Sequence, residues 1–303
     1  MPKSLFQASK IPRPEIQTSG VHAAMDHKAS LQRARGQVIL HLNGQKIEKL
    51  YQAGCAKMML PKTYSDMTEA VMLNTAGGIT GGDQIDISVV AQDCALVTTS
   101  QTAERFYKSS TSPARISIQL KAQEGAHLHW LPQETILFDG AEIDRSIRLD
   151  MQSDSHCVIA ESLVLGRGAM GEVVQNCHFT DSWRLYRDGV LFHAEQLCLT
   201  GDVRDVLAAS AGGNAARLLT TIIYAGADAE QAAERLKPII SASRSANALS
   251  CWREKLVVRL VSADAPAGRA DIVKLLLALR QQPLPRVWQV ELDLGERYET
   301  KPT

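Results

Sequence analysis

The sequence carries no net charge and contains no long apolar run. Its 33 lysines and arginines balance 33 aspartates and glutamates, so no overall field draws the chain to nucleic acid or to an anionic membrane. The longest apolar run, Leu275 to Leu279, is far shorter than the ~20 residues that cross a bilayer, and the N-terminal residues lack the apolar stretch of a signal peptide. We therefore expect a cytoplasmic protein that binds neither nucleic acid nor membrane.

The cysteines of the chain show no pairing in the sequence. They are Cys55, Cys94, Cys157, Cys177, Cys198 and Cys251. None belongs to a C-x-x-C pair or to a short cluster with histidine, the spacing that a structural zinc site requires. Scattered thiols of this kind are typical of a reducing compartment, where they stay free and buried.

The glycine-rich stretch at residues 73–83, LNTAGGITGGD, lacks the features of a phosphate-binding loop. A Walker A loop has a lysine and a hydroxyl residue after its last glycine, whereas Asp83 follows Gly82 here. A dinucleotide fingerprint opens a helix, but the residues after Asp83 alternate as a strand does. Paired glycines between strands supply positive φ angles or allow close backbone approach. We therefore interpret the stretch as a structural corner and expect no nucleotide there.

Alternation of apolar and polar residues recurs at a fixed spacing. Such alternation buries one face of a strand, and it begins at Ile85, Ile116 and Ile147, thirty-one residues apart. Each segment is followed by a polar corner and a second strand, and the cycle returns out of phase near Trp183. A fixed period of this length is typical of stacked units, although consecutive hairpins would give similar spacing. The pattern predicts a mainly β, layered body, solenoid-like or sandwich-like.

The two ends of the chain differ from this repeating part. Residues 1–30 are polar, contain prolines and show no periodicity, which predicts a flexible N-terminal extension. Residues 31–200 form the predicted β body with its repeated strand pairs. Residues 201–303 are predicted to be a cap of strands and helices that is continuous with the β body.

Local signals divide the predicted cap further. Residues 202–216 are rich in small side chains and predict a linker, and residues 252–261 alternate as one strand. Asp228 is expected to cap a helix that Pro238 ends. Apolar residues at helical spacing predict a second helix over residues 268–280.

Common catalytic signatures are absent, since the sequence contains neither G-x-S-x-G nor H-E-x-x-H. His127 and His129 lie two residues apart on a predicted strand, so both point to one face and could share a metal ion. Strand histidines more often only form hydrogen bonds. A hydrolase or lyase on a solenoid-like β body would need two convergent carboxylates, such as Glu134 and Glu161. A metal-storage protein that uses histidines is a third open hypothesis.

Four blocks of sequence carry a resemblance to a known family. They are LNTAGGITGGD (73–83), TTSQTAERFYKS (98–109), LPQETILFDGA (131–141) and ESLVLGRGAMGE (161–172). In this order they resemble the urease accessory protein family UreD, called UreH in some bacteria. The resemblance extends from about Gly36 to residues 285–289 and leaves out the first thirty residues and the C-terminal KPT.

The resemblance implies a non-enzymatic scaffold for nickel insertion. Such a protein holds apo-urease and recruits UreF, which docks the nickel-carrying GTPase UreG, so that GTP hydrolysis belongs to that partner. The implied fold is a right-handed β-helix-like body with a few C-terminal helices. Nickel is thought to pass through an internal tunnel in such proteins, so the resemblance implies transient nickel and no permanently bound cofactor.

Dispersed carboxylates suit such passage, because nickel accepts carboxylate ligands and a conduit has too few ligands to trap the ion. We predict that the nickel path uses five carboxylates within the matching blocks. They are Asp83, Glu104, Glu134, Glu161 and Glu172. A structural role stays open for each of them: accepting amide hydrogen bonds in a glycine corner, or pairing with Arg105, Arg145 or Arg167.

Overall fold

The computed structural model describes residues 32–63, 65–166, 171–210 and 213–289. The predicted extension at residues 1–30 lies outside the described residues. The described residues from Arg33 onward form one compact unit, and the division at residue 200 stays a prediction. The unit consists mainly of strands, with helices near its C-terminal end. This confirms the prediction of a mainly β body with a few C-terminal helices.

Seven strands form one sheet, here called sheet A. In spatial order they are β14 (Val190–Asp202), β13 (Asn176–Arg187), β11 (Glu142–Met151), β8 (Ala114–Gln123), β5 (Gln84–Gln92), β1 (Arg35–Asn43) and β2 (Lys46–Gly54). The five inner strands run parallel to one another. The outermost strands, β14 and β2, are each antiparallel to their neighbour.

The other sheet, sheet B, contains ten strands. Eight follow one another in the order β16 (Ala246–Trp252), β17 (Lys255–Ser262), β15 (Leu218–Ala225), β12 (His156–Leu165), β9 (His127–Trp130), β6 (Ala95–Ser100), β4 (Thr68–Asn74) and β3 (Ala56–Met59). Two short strands, β7 (Glu104–Phe106) and β10 (Thr135–Leu137), extend it beside β12. The strands β4, β6, β9 and β12 are parallel.

The predicted repeat corresponds to the way in which the chain passes between the sheets. From β5 to β12 each strand of sheet A is followed by strands of sheet B before the chain returns to sheet A. Ile85 lies opposite Ile116, and Ile118 lies opposite Ile147. Both registers keep the apolar residues on one face, because side chains alternate with a period of two. The three alternating strands and the strands that follow them are confirmed.

Two apolar cores explain why alternation is clear in one sheet only. The inward side chains of sheet A, such as Leu120 and Phe179, pack against sheet B in the first core. The opposite face of sheet B packs against helices through residues such as Val258, Leu236 and Leu276 in the second core. Sheet B is therefore covered on both faces, whereas sheet A has outward polar residues, which give the alternating pattern.

Four helices complete the described part of the chain. They are α1 (Val203–Ala208), α2 (Ala229–Ala242), α3 (Ala265–Arg280) and α4 (Arg286–Gln289). The helix predicted over residues 268–280 is thus confirmed as α3. None of the helices in the described ranges is long and apolar enough to cross a membrane.

Of the predictions for the connections, one is wrong and one is confirmed. Residues 202–216 contain α1, whose first amides at Arg204 and Asp205 are accepted by the Asp202 side chain. The strand, turn and second strand predicted from Trp183 onward are confirmed, because β13 and β14 form an antiparallel hairpin within sheet A. Its two-residue turn has positive φ at Asp188 and Gly189, the geometry that favours hairpins.

The remaining corrections concern residues 228–261. Pro238 lies inside α2 and not at its end. It is exposed, so the carbonyl group that it leaves without an amide partner can bind water. Asp228 makes no cap hydrogen bond, because its carboxylate accepts the hydroxyl of Tyr224. Residues 252–261 span the turn of the β16 and β17 hairpin and are not one strand.

Candidate functional site

The glycine stretch at residues 73–83, here called the glycine corner, joins β4 to β5. It leads directly into a strand, and no helix begins within it. A Cβ atom on Gly81 would lie 1.9 Å from Ser109 Oγ and 2.6 Å from the carbonyl oxygen of Ser112. Gly77 and Gly82 have φ angles of 75° and 84°, which favour glycine. The prediction of a structural corner is confirmed.

Asp83 closes this corner with its carboxylate. The side chain is 3% exposed. One oxygen accepts the amide of Ala34 at 2.8 Å, and the other accepts the amide of Thr80 at 2.9 Å. Both carboxylate oxygens are therefore used to join the corner to the chain that enters β1.

The first cavity lies between the two sheets and has a volume of about 190 Å³. Its lining extends from Gln101 and Thr102, which are exposed, to Arg145 and Glu161, which are buried. Glu104 also lines it and accepts the side-chain amide of Asn74 at 3.1 Å. Burial raises the pKa of Glu104, against the hydrogen bond from Asn74. Two of the five predicted carboxylates, Glu104 and Glu161, thus line one cavity.

At the inner end of this cavity one arginine binds two carboxylates. Arg145 Nη1 donates to Glu161 Oε2 and Arg145 Nη2 donates to Asp181 Oδ2, both at 2.6 Å. Trp130 Nε1 donates to the other oxygen of Glu161 at 2.7 Å. Arg145, Glu161 and Asp181, here called the Arg145 cluster, are all at most 7% exposed.

The charges and hydrogen-bonding groups of the Arg145 cluster are not all paired. One guanidinium faces two carboxylates, and Arg145 Nε and Asp181 Oδ1 are buried without a hydrogen-bond partner. Burial raises the pKa of Glu161, and the attraction of Arg145 does not outweigh it. A buried charge is costly unless it is paired and hydrogen-bonded. The cluster is therefore a place where the protein tolerates incomplete bonding in its interior.

The second cavity also borders the Arg145 cluster and has a volume of about 400 Å³. Arg145 and Glu161 line both cavities, and Asp181, Glu195 and Arg259 line the second. Each cavity is therefore lined by more than one carboxylate.

The outer part of the second cavity contains an ion pair between the sheets. Both oxygens of Glu195 on β14 accept from Arg259 on β17, with Nη2 and Oε2 at 3.0 Å. His193 Nε2 lies 3.3 Å from Glu195 Oε2. Burial alone would raise the pKa of Glu195, but the hydrogen bonds of His193 and Arg259 lower it below its ordinary value.

Glu134 and Glu172, the remaining two of the five predicted carboxylates, do not line the first cavity. Glu134 pairs with Arg269 of α3, which also donates to Gln133 Oε1 at 2.8 Å. Glu172 is half-buried in the connection between β12 and β13. Since Glu134 and Glu161 pair with different arginines, the structure does not favour the hydrolase hypothesis. Of the arginines considered as partners, Arg145 pairs with Glu161, and Arg167 lies outside the described residues.

The histidines of β9 bind different partners. His127 is exposed and stacks on His156, with ring centroids 4.6 Å apart. His129 is buried, and its Nδ1 accepts from Arg280 Nε at 3.1 Å. Among the described residues, no three side chains of histidine, cysteine, aspartate or glutamate are placed to hold one metal ion. The described geometry does not provide the closed metal site that a storage protein needs.

Sequence reasoning named Arg145 as a possible carboxylate partner, but it missed Asp181, Glu195 and the binding of two carboxylates by Arg145. A signal for two of them was present, because Arg145 extends the inward series of Ile147 and Leu149 by one step. Asp181 likewise precedes the inward residue Trp183. A charged residue at an inward position of an alternating strand needs a buried partner. Their pairing across the interior, however, depends on sheet order.

Comparisons with known proteins identify the family of the chain. A family model described as UreD urease accessory protein matches residues 32–289. A urease accessory protein UreD of Chelativorans sp. is 41% identical over 270 residues, covering 86% of this chain and 96% of the relative. Those of Rhizobium rhizogenes and Jannaschia sp. are 41% and 38% identical and cover 86% of this chain. They are themselves covered over 96% and 97% of their length.

The match extends through both sheets, the Arg145 cluster and α4. It shows a maturation factor and not an enzyme, as the resemblance implied. From its sequence and these matches, the chain belongs to the UreD family of urease accessory proteins.

Proposed function

We propose that this protein is a scaffold for urease maturation that passes nickel through the space between its sheets. The observation that carries the proposal is that two cavities share Arg145 and Glu161, with carboxylates on both sides of them. Nickel would enter past Glu104 and reach Glu161. The scaffold holds apo-urease, recruits UreF and, through UreF, the GTPase UreG.

The arrangement of the carboxylates suits transit better than storage. Oxygen ligands bind nickel, and an ion moves on only where each position offers few ligands. Glu104 and Glu161 line the same cavity without joining a group of three ligands among the described residues. Nickel is thus cargo, and no permanently bound cofactor is proposed.

The five predicted residues differ in their support as nickel ligands. Glu104 and Glu161 line the first cavity. Asp83 is bonded to two amides, and Glu134 is paired with Arg269, so their contacts favour structural roles. Glu172 stays in the proposal on the resemblance alone.

The surface of sheet A has features that suit the binding of protein partners. Its end strand β2 exposes Ile47, Leu50 and Tyr51, which are 46%, 39% and 45% exposed. At the opposite end, β14 exposes Val190 and Leu191. Apolar side chains grouped at an edge are typical of surfaces that bind proteins. These ends are the surfaces that we propose for UreF and urease.

Two further expectations belong to this proposal. The parallel pairing and the thirty-one-residue spacing support a right-handed β-helix-like description of the stacked strands. The six cysteines are free, which supports maturation in the reducing cytoplasm. Only Cys157 and Cys177 are fully buried, so the expectation of buried thiols is confirmed for these two.

The test is co-expression of this chain with tagged UreF and apo-urease, followed by pull-down and measurement of nickel in urease. The proposal expects a complex that contains all three proteins and nickel-loaded urease, and little nickel in urease when this chain is omitted. Equal nickel loading without this chain would overturn the proposal. Tight, stoichiometric nickel binding by the chain alone, with no complex, would instead support storage.

A further inference from the structure

The turns of two hairpins, one in each sheet, lie beside each other. The hairpin of β13 and β14 turns at Asp188 and Gly189, and that of β16 and β17 turns at Arg253 and Glu254. Arg187 joins the two turns, because its Nη1 donates to Glu254 Oε2 at 2.5 Å and its Nη2 donates to the backbone oxygen of Glu254 at 3.0 Å. The two turns and the residues next to them therefore form one surface.

This surface exposes three large apolar side chains, here called the hairpin-tip patch. Val190, Leu191 and Trp252 are 69%, 47% and 43% exposed. The other three tryptophans of the chain, all in its described part, are at most 2% exposed. Large apolar side chains that are grouped on a surface are typical of sites that bind proteins, and tryptophan is enriched among the residues that contribute most to such binding.

Lys255 connects the two halves of this surface. Its side chain is 3% exposed, and its Nζ lies 4.5 Å from the ring of Trp252 and 5.4 Å from the ring of Phe192. The ammonium group also donates to the backbone oxygen of Phe192. A cation over an aromatic face is attracted to it, so Lys255 orders Trp252 without a partner. An ordered side chain loses less conformational entropy on binding.

The charged groups around the patch favour an acidic partner. Three cationic side chains, Arg187, Arg253 and Lys255, stand against two carboxylates, those of Asp188 and Glu254. Glu254 is paired with Arg187, whereas Arg253 is exposed and forms no ion pair with a described residue. One positive charge is thus in excess, directly beside Trp252. Complementary charges across an interface contribute to the rate and the specificity of binding.

The conformation of the second turn gives no reason for an arginine at position 253. Arg253 and Glu254 have φ angles of 48° and 55°, and a two-residue hairpin turn of this kind favours asparagine followed by glycine. Larger side chains in the left-handed region are uncommon and cost free energy. Glu254 has a partner in Arg187, but Arg253 has none among the described carboxylates. Its charge is therefore available to a partner protein.

We propose that the hairpin-tip patch is a docking surface for a protein segment that carries an acidic side chain next to apolar ones. The apolar side chains cover Leu191 and Trp252, and the acidic side chain pairs with Arg253. The proposal rests on the proposed function, which assigns this end of sheet A to UreF or urease, and it adds the chemistry that the partner presents.

The first experiment measures the affinity of the full chain for UreF and for apo-urease, each separately, by biolayer interferometry. For one of the two partners, Trp252→Ala should weaken binding by about thirtyfold, which corresponds to about 2 kcal/mol. Leu191→Ser should weaken it by about tenfold, or about 1.4 kcal/mol. Arg253→Asn should weaken it by about threefold at low salt and by less at high salt. Circular dichroism checks folding, and asparagine suits the turn.

The matched control is Leu277→Ser. Leu277 is 40% exposed, close to the 47% of Leu191, but it lies on α3 and on neither hairpin. This variant should bind both partners as the wild type does. Wild-type affinity of folded Trp252→Ala and Leu191→Ser chains for both partners would overturn the docking surface, and so would an equal loss in Leu277→Ser. Unchanged binding by Arg253→Asn at low salt would overturn the acidic partner.

A second measurement separates this proposal from the proposed function. The chain is labelled with 5-fluorotryptophan, Trp252→Phe identifies the fluorine signal of Trp252, and unlabelled UreF or apo-urease is added. That signal should shift or broaden more than those of the three buried tryptophans. A complex in which it does not change overturns the docking surface but leaves the proposed function. If the wild type forms no complex, both are overturned. A change that depends on the concentration of this chain alone would show a second copy on the patch and would overturn the proposed partner.

Discussion

The glycine corner and the Arg145 cluster both bury carboxylates, but they bond them differently. Both oxygens of Asp83 accept backbone amides. In the Arg145 cluster two carboxylates share one guanidinium, and Asp181 Oδ1 has no partner. A carboxylate whose oxygens are all bonded to backbone stabilises the fold. One that is incompletely bonded beside a cavity keeps a carboxylate oxygen without a hydrogen-bond partner, as Asp181 does.

Buried carboxylates also differ in the direction in which their pKa values are shifted. Burial pushes the pKa of Asp271 upward, but hydrogen bonds from Ser243 and Ser245 outweigh it and lower the pKa. For Glu104 and Glu161 burial outweighs their partners and raises the pKa. For Glu104 and Glu161, hydrogen bonds and nearby charges thus offset the effect of burial on the pKa less than they do for Asp271. Asp271 joins α3 to the loop before β16.

The largest effect that the comparison predicts is at the glycine corner. Gly81→Val should abolish soluble expression, because its Cβ would lie 1.9 Å from Ser109 Oγ and 2.6 Å from a backbone oxygen of Ser112. Soluble yield and circular dichroism measure this. Gly125→Asn is the control, since a Cβ there meets nothing within 4 Å and asparagine tolerates positive φ. A folded Gly81→Val chain that lost only nickel delivery would make the corner a functional site.

A smaller loss of stability is expected at Asp83. Asp83→Ala leaves the amides of Ala34 and Thr80 without their acceptor, and each unsatisfied buried group costs about 1–3 kcal/mol. The free energy of unfolding, measured with urea, should fall by about 2–4 kcal/mol. Asp83→Asn keeps one acceptor oxygen and should lose less. Unchanged stability together with lower nickel in urease would place Asp83 on the nickel path.

The pH dependence of stability should have opposite signs for the two kinds of carboxylate. Because the pKa of Glu161 is raised in the folded state, its contribution is fully present below pH 4.5 and is lost as the pH rises through the raised value. Because the pKa of Asp271 is lowered, its contribution is present above pH 3.8 and is lost as the pH falls. Each slope is limited to about 1.4 kcal/mol per pH unit.

Urea unfolding between about pH 3 and 8 measures these slopes. The stability advantage of the wild type over Glu161→Gln should decrease as the pH rises above 4.5. Its advantage over Asp271→Asn should decrease as the pH falls below 3.8. Slopes of the same sign for both variants would remove the distinction between the two kinds of carboxylate.

The smallest effect on the free energy of unfolding is expected for Arg259, which lines the second cavity. Arg259→Gln should lower the free energy of unfolding by about 1 kcal/mol, the upper end of the range for exposed ion pairs, because the arginine is more than half exposed but binds both oxygens of Glu195, which is 11% exposed. Thermal or urea unfolding measures it beside Arg148→Gln, since Arg148 also binds both oxygens of a carboxylate and is 51% exposed. A loss of several kcal/mol would show that Arg259 is needed to hold the two sheets together.

The fold could be predicted where one side of a strand faces water. Alternation located β5, β8 and β11, because sheet A has a polar outer face. It failed to predict α1, since the small residues at 202–216 suggested a linker while Asp202 satisfies the first amides of a helix there. Pro238 was predicted to end a helix, but exposure of its position allows α2 to continue.

The candidate site was predictable only in part. The resemblance placed Glu104 and Glu161 on the nickel path, and the structure places both on one cavity. Asp181 and Glu195 lie on strands that join sheet A beyond the repeat, so their approach to Glu161 depends on which strands become neighbours. Sequence spacing does not contain that information, since long-range pairing is decided by the packing of the two sheets.

We propose that nickel passes the carboxylates of the first cavity. It is tested most directly by co-expressing Glu104→Ala and Glu161→Ala chains with UreF and apo-urease, and measuring nickel per urease active site together with recovery of the complex. We expect an intact complex and urease with several-fold less nickel in both variants. Fully loaded urease from intact complexes of both variants would contradict it.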